Sequence, residues 1–166
     1  MERLWAPWRM PYIQGIGKSD ACVFCTAPRE NRDRDNLILH RGERVFVILN
    51  LYPYNNGHLM AVPYEHVSDC SDLDSETVGE LWCLVERGKQ ALEKAFHPEG
   101  FNIGMNLGRV AGAGIDQHVH MHVVPRWNGD TNFMPVTGQT KVLSQGLPDT
   151  YDALLPYFSP EDPTNG

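Results

Sequence analysis

The residues whose spacing carries the most chemistry are His118, His120 and His122. They alternate with apolar Val119, Met121 and Val123 in the run Gln117-His118-Val119-His120-Met121-His122-Val123-Val124-Pro125. Side chains of a β-strand point to opposite faces in turn. The spacing therefore predicts three imidazoles on one face, roughly 7 Å from one to the next, while the apolar set enters a core. A wetted strand offers no packing reason for such a row. Two chemistries use it. Three imidazoles on one face can hold a metal ion, with a bound water as the attacking group of a metal-dependent hydrolase. Alternatively, one imidazole is a nucleophile and its neighbours position and polarise the target. Spacing alone leaves both open.

A second spacing is Cys22-Val23-Phe24-Cys25. In a reducing compartment this is a metal clip or a redox motif rather than a structural disulfide. No strand–helix pattern surrounds it, which weighs against a redox role. Two thiolates fill half of a tetrahedral site, and the local sequence supplies no others, so further ligands must come from afar. Cys70 and Cys83 stand apart and are expected only to fill space, and His40 and His97 to lie at the surface.

The elements that must carry these residues follow from periodicity and breakers. Residues 44–51, rich in Val, Ile, Phe and Leu, read as a buried strand closed by Asn50. The stretch from Tyr52 to Gly57 reads as a turn, and 57–63 as the returning strand of a hairpin. Ser71 to Phe96 reads as the one long helix, capped by Asp74 or Ser75, with Val78, Leu81, Trp82, Val85, Leu92, Ala95 and Phe96 on the buried face. Residues 101–107 alternate as a third strand, and a glycine-rich turn from Gly108 to Gly114 leads into the histidine strand. Residues 26–36 read as a loop. Trp5, Trp8 and Tyr12 mark residues 1–20 as an arm that packs on the domain or on a second subunit.

Composition narrows the classes. At 166 residues and 42% hydrophobic content, one globular domain with one core is expected. The net charge of −7 with no basic run argues against binding long nucleic acid. No apolar run is long enough to span a bilayer, and the start has no signal-peptide core. A cytoplasmic enzyme is the expectation.

His118-Val119-His120-Met121-His122-Val123-Val124 resembles, at every position, the signature of the histidine-triad superfamily. Leu4 to Met10, Leu49 to Leu59 and Pro125 to Met134 resemble its bacterial branch of diadenosine tetraphosphate phosphorylases and hydrolases. The resemblance implies an α+β fold, with an antiparallel sheet of about five strands and one long helix packed on it. It places an arm at 1–20, the catalytic domain at 21–146 and a tail with a short helix at 147–166. It implies cleavage at the α-phosphate of an adenylyl compound through a nucleotidyl-histidine on His120, with His122 and His58 assisting. Asn50 is implied at the ribose, with Asn106, and less directly Gly114 and Gln117, near the phosphate. The usual Ser/Thr before the triad is missing from Gly114-Ile115-Asp116-Gln117-His118.

Zinc-binding members use a Pro-x-x-His histidine and the first triad histidine beside a Cys-x-x-Cys. The resemblance thus implies a structural zinc on Cys22, Cys25, His66 and His118, and no catalytic cofactor. Adenine nucleotides or dinucleoside polyphosphates are the implied ligands and a homodimer the implied assembly. Trp127 and Phe133 are placed near the base or the arm. Phosphorolysis and hydrolysis are left open, and a non-catalytic AMP-binding module is the remaining alternative.

Overall fold

The computed structural model describes residues 21–131 and 142–159. The arm over 1–20, Phe133 and the chain beyond 159 lie outside the described residues. The architecture is α+β. Strands β1 (Ile38–Arg41), β2 (Val45–Leu49), β3 (Leu59–Pro63), β4 (Gly100–Gly104) and β5 (Met121–Arg126) form one antiparallel sheet in the order β1-β2-β3-β5-β4. A single turn, α1 (Val23–Thr26), precedes them. The long helix α2 (Ser75–Phe96) links β3 to β4, and α3 (Leu147–Leu154) follows β5.

Both middle strands of the hairpin are buried throughout, and period two explains how one strand serves two layers. Val45, Val47, Leu49, Leu59 and Ala61 meet Leu81, Leu84, Val85 and Leu92 of α2, with Tyr151, Leu154 and Phe158 of the tail completing that layer. Phe46, Ile48, Met60 and Val62 face the other way, onto Phe24, Ala27 and Ile38. Each aliphatic side chain taken out of water contributes about 1.5–3 kcal/mol before ordering costs. The tail is tied in by the Tyr151 hydroxyl, which donates to the Ile38 carbonyl at 3.0 Å.

Helix α2 starts where Asp74 accepts from the Thr77 amide at 2.7 Å, as an N-cap carboxylate should. It ends at His97, whose left-handed φ of 48° closes the last turn. Its buried stripe differs from the expected one. Thr77, Leu84, Gly88 and Ala91 are buried, whereas Val78 is 40% and Trp82 53% exposed. Val78 and Trp82 stand four apart on a row beside the stripe, which runs through Leu81, Val85, Gly88 and Leu92. Gly88 lets α2 approach β3 closely, since a Cβ there would lie 2.9 Å from Leu59 Cδ1 and would make that buried side chain shift.

Other expectations also shift. Cys83 is exposed rather than filling space. The loop expected over 26–36 contains a 3-10 turn at Ala27–Glu30, and the strand β1 that follows it at Ile38 has four residues, too few for periodicity to show. Trp127 donates from its ring nitrogen to the Phe96 carbonyl at the end of α2; the arm, its other expected neighbour, lies outside the described residues. No helix among the described residues is long and apolar enough to cross a membrane.

Candidate active site

A cleft of about 690 Å³ opens on the sheet face opposite α2. The end of β2 brings Asn50, and the following turn brings Tyr52 and Tyr54. The segment before β5 brings Gly114, Ile115, Asp116, Gln117 and His120, and β5 itself brings His122. Phe24, Ile48 and Met60 form an apolar wall. His118 and His58 do not line the cleft; both sit behind it, fully buried.

The ladder of β5 begins at Met121, one residue after His120. His118 and His120 therefore precede the regular strand, in a segment fixed by the Val119 amide donating to the Val67 carbonyl at 2.7 Å. The face expected to carry three equivalent imidazoles instead carries rings with three separate sets of partners.

Those partners fix the tautomers, because a carbonyl only accepts and an amide N–H only donates. His120 Nδ1 lies 2.8 Å from the His118 carbonyl oxygen. Nδ1 must carry the proton, so Nε2 keeps a bare lone pair. The Tyr54 amide donates to His58 Nδ1 at 3.0 Å, which leaves the proton of neutral His58 on Nε2. That nitrogen stands 2.9 Å from His122 Nδ1, so His122 accepts there and carries its own proton on Nε2. Asn106 Nδ2 stands 3.4 Å from that nitrogen, so the amide must turn its oxygen there to accept the proton. The Tyr54 ring packs against His58, tilted at 45° with ring centroids 4.5 Å apart, and helps hold the imidazole in place. Burial lowers the His120 pKa below the ordinary histidine value, opposed in part by the His118 carbonyl. The ring is thereby kept neutral, as a nucleophile requires.

Along one edge of the cleft, whose lining includes Cys22 and His66, one ligand atom each from Cys22, Cys25, His66 and His118 falls within a 4.8 Å group. The separations are 3.4 Å for Cys22–His118, 3.6 Å for Cys25–His118, and 3.2 Å for both Cys25–His66 and His66–His118. Zinc–sulfur and zinc–nitrogen bonds of ordinary length give tetrahedral edges of about 3.3–3.8 Å. The donor chemistry agrees. His118 Nε2 donates to the Pro63 carbonyl at 2.8 Å, which turns the unprotonated Nδ1 toward the thiols, the arrangement that orients metal-bound histidines. Burial and the neighbouring Cys22 raise the Cys25 thiol above its ordinary value, a shift that a bound cation would reverse. The four residues fit a tetrahedral metal.

The sequence-derived candidates are all found at or beside these two centres. Asn50 Oδ1 accepts from the Tyr52 amide at 2.9 Å, so it caps the turn while facing the cleft. Gly114 and Gln117 line the cleft as well. Sequence reasoning missed Phe24 and Tyr54. Phe24 was in view only as a spacer between two cysteines, and Tyr54 only as a turn residue. For Tyr54 the available signal was an aromatic next to the Asn55-Asn56-Gly57 turn, and Phe24 offered none beyond its place in the Cys-x-x-Cys.

The HIT domain family model matches residues 31–129. The AP-4-A phosphorylase of Mycobacterium tuberculosis is 41% identical over 158 residues, covering 90% of this chain and 80% of that protein. An asymmetrical bis(5'-nucleosyl)-tetraphosphatase of Schizosaccharomyces pombe is 31% identical over 93 residues, 56% of this chain and 50% of its own. Among solved structures, a zinc-bound histidine triad family protein from Mycobacterium smegmatis superposes with a TM-score of 0.67 at 26% identity, covering 83% of this chain and 93% of its own. The chain belongs to the HIT family and is an enzyme of the histidine-triad superfamily.

Proposed function

We propose that this enzyme cleaves diadenosine tetraphosphate at an α-phosphate through an adenylyl group carried on His120, with inorganic phosphate as the acceptor. The observation that carries the reading is His120 itself, buried and neutral, its Nδ1 spent on the His118 carbonyl and its bare Nε2 at the cleft. Likeness to a mycobacterial AP-4-A phosphorylase supports the substrate and the acceptor.

In the first half, His120 Nε2 attacks the α-phosphorus and the bond to the bridging oxygen breaks, releasing ATP. His122, protonated on Nε2 and steadied by His58, donates to the oxygen on which charge builds. Asn50 takes the ribose hydroxyls with the second lone pair of its oxygen, and Asn106, Gly114 and Gln117 face the phosphate. In the second half, a phosphate oxygen attacks phosphorus, the P–N bond breaks and ADP leaves. Cys22, Cys25, His66 and His118 would hold zinc, which supplies a structural cross-link rather than chemistry on the substrate. No step calls for a catalytic cofactor. The three-histidine metal hydrolase is disfavoured because His118 Nδ1 faces the thiols and not the cleft.

The test is to separate nucleotide products with and without phosphate. ATP plus ADP, formed only when phosphate is present, is the expected result. ATP plus AMP would make the enzyme a hydrolase, and no turnover would remove this substrate. A second expectation concerns the relay. His58→Gln lowers kcat by about 10²-fold with little change in KM, because His58 is behind His122 and does not line the cleft. An unchanged kcat in steady-state assays would remove His58 from the relay.

We further propose a cytoplasmic homodimer. The outer edge of β4 has no strand partner among the described residues, and Asn102, Ile103 and Gly104 on it are exposed. Such an edge is suited to pairing with a second copy.

A further inference from the structure

The metal clip and the candidate nucleophile are joined by one side chain that neither motif accounts for. Phe24 stands between the two cysteines, and its ring centroid lies 5.0 Å from that of His120 and 5.4 Å from that of His118. Phe24 is 4% exposed and packs with Ile38, Phe46 and Met60. The turn that carries it is closed on itself, since the amides of Cys25 and Thr26 both donate to the Cys22 carbonyl at 3.0 Å. Securing Cys22 and Cys25 therefore fixes where the Phe24 ring can sit.

His120 has one strong anchor, the bond from Nδ1 to the His118 carbonyl. A single hydrogen bond leaves the ring free to rock about it. Two rings remove that freedom: His122 meets the imidazole edge-on at 4.7 Å, and Phe24 meets it tilted at 52°. The direction of the Nε2 lone pair depends on both. A displacement of about 1 Å at a reacting atom costs on the order of 10²-fold in rate.

We propose that Phe24 is a positioning residue for His120, through which the state of the Cys22/Cys25/His66/His118 clip sets the reactivity of the nucleophile. This rests on the adenylyl-transfer reading given above. In that role the clip does more than cross-link the chain. It holds a ring that aims the attacking nitrogen.

The experiment is a double-mutant cycle on the full chain, with adenylyl transfer to the enzyme followed in a single turnover. The variants are Phe24→Ala, Cys25→Ala and the double variant. Each single change is expected to slow transfer by about 10–100-fold, and the double variant to be no slower than the worse single one. Phe24→Tyr should restore the rate, whereas Phe24→Leu, which keeps apolar bulk without the ring, should not. Circular dichroism of each variant checks the fold. In parallel, nitrogen NMR of the histidine rings reads position without turnover. A single Nδ1–H state is expected for His120 in the wild type and exchange-broadened signals in Phe24→Ala. Effects that multiply in the double variant, full activity in Phe24→Leu, or an undisturbed His120 ring in Phe24→Ala would each overturn the proposal. Failure of the wild type to form an adenylyl adduct would instead overturn the nucleophile assignment, and the ring signals would still decide the role of Phe24.

Discussion

His120→Asn is expected to lower turnover of diadenosine tetraphosphate by at least about 10⁴-fold, since removing a covalent nucleophile leaves only binding and charge stabilisation behind. The asparagine amide nitrogen takes the place of Nδ1 and retains a donor for the His118 carbonyl, so the fold should persist. Nucleotide should still bind, because Asn50, Phe24, Ile48 and Gln117 line the cleft independently of the imidazole. Stopped assays with chromatographic separation of products check this, alongside equilibrium binding of AMP. A variant that binds AMP and retains more than a few per cent of wild-type turnover would mean that another group attacks.

The second large effect belongs to the clip. Stripping zinc with a chelator, or replacing Cys25 by alanine, is expected to reduce stability by at least about 3 kcal/mol, because metal binding free energy is folding free energy where ligands come from distant segments. Here the two histidine ligands stand 41 to 96 residues from the cysteines. A change of that size lowers the melting temperature by roughly 6–12 °C in a chain of this length. Elemental analysis should find one zinc per chain, and calorimetry with and without chelator reads the shift. Protein purified without zinc, with a melting temperature indifferent to chelator, would contradict the assignment.

Much of this site was legible because its chemistry is carried by residue type and spacing. The histidine run and the Cys-x-x-Cys name their residues directly, His66 and His118 entered as metal ligands through the resemblance to zinc-binding members, and the structure brings Cys22, Cys25, His66 and His118 into one group. The hairpin and the capped helix were legible too, through a run of β-branched residues and an aspartate before a helical stripe. What could not be read was the identity of the backbone partners. Pro63 and His118 contribute carbonyls and Tyr54 an amide, and every residue offers those groups regardless of its name. The division of labour among three similar histidines is set by these bonds alone. The alternation rule did separate the two sets, with His120 and His122 at the cleft and Met121 and Val123 packed toward α2, although the ladder itself starts only at Met121. The stripe on α2 was misplaced by one row at Val78 and Trp82, because apolar residues flank a helix face as readily as they occupy it. Phe24 was hidden by its setting, an apolar residue in a motif whose cysteines draw the attention.

The most direct test of the account is to trap the intermediate. Wild-type protein is mixed with diadenosine tetraphosphate without phosphate, quenched under alkaline conditions that preserve phosphoramidates, digested and mapped by mass spectrometry. One adenylyl group on the peptide containing His120, localised to that side chain and discharged as ADP when phosphate is added before the quench, is the expected result. Adenylyl transfer to any other residue, or full turnover with no covalent species at any time point, would contradict it.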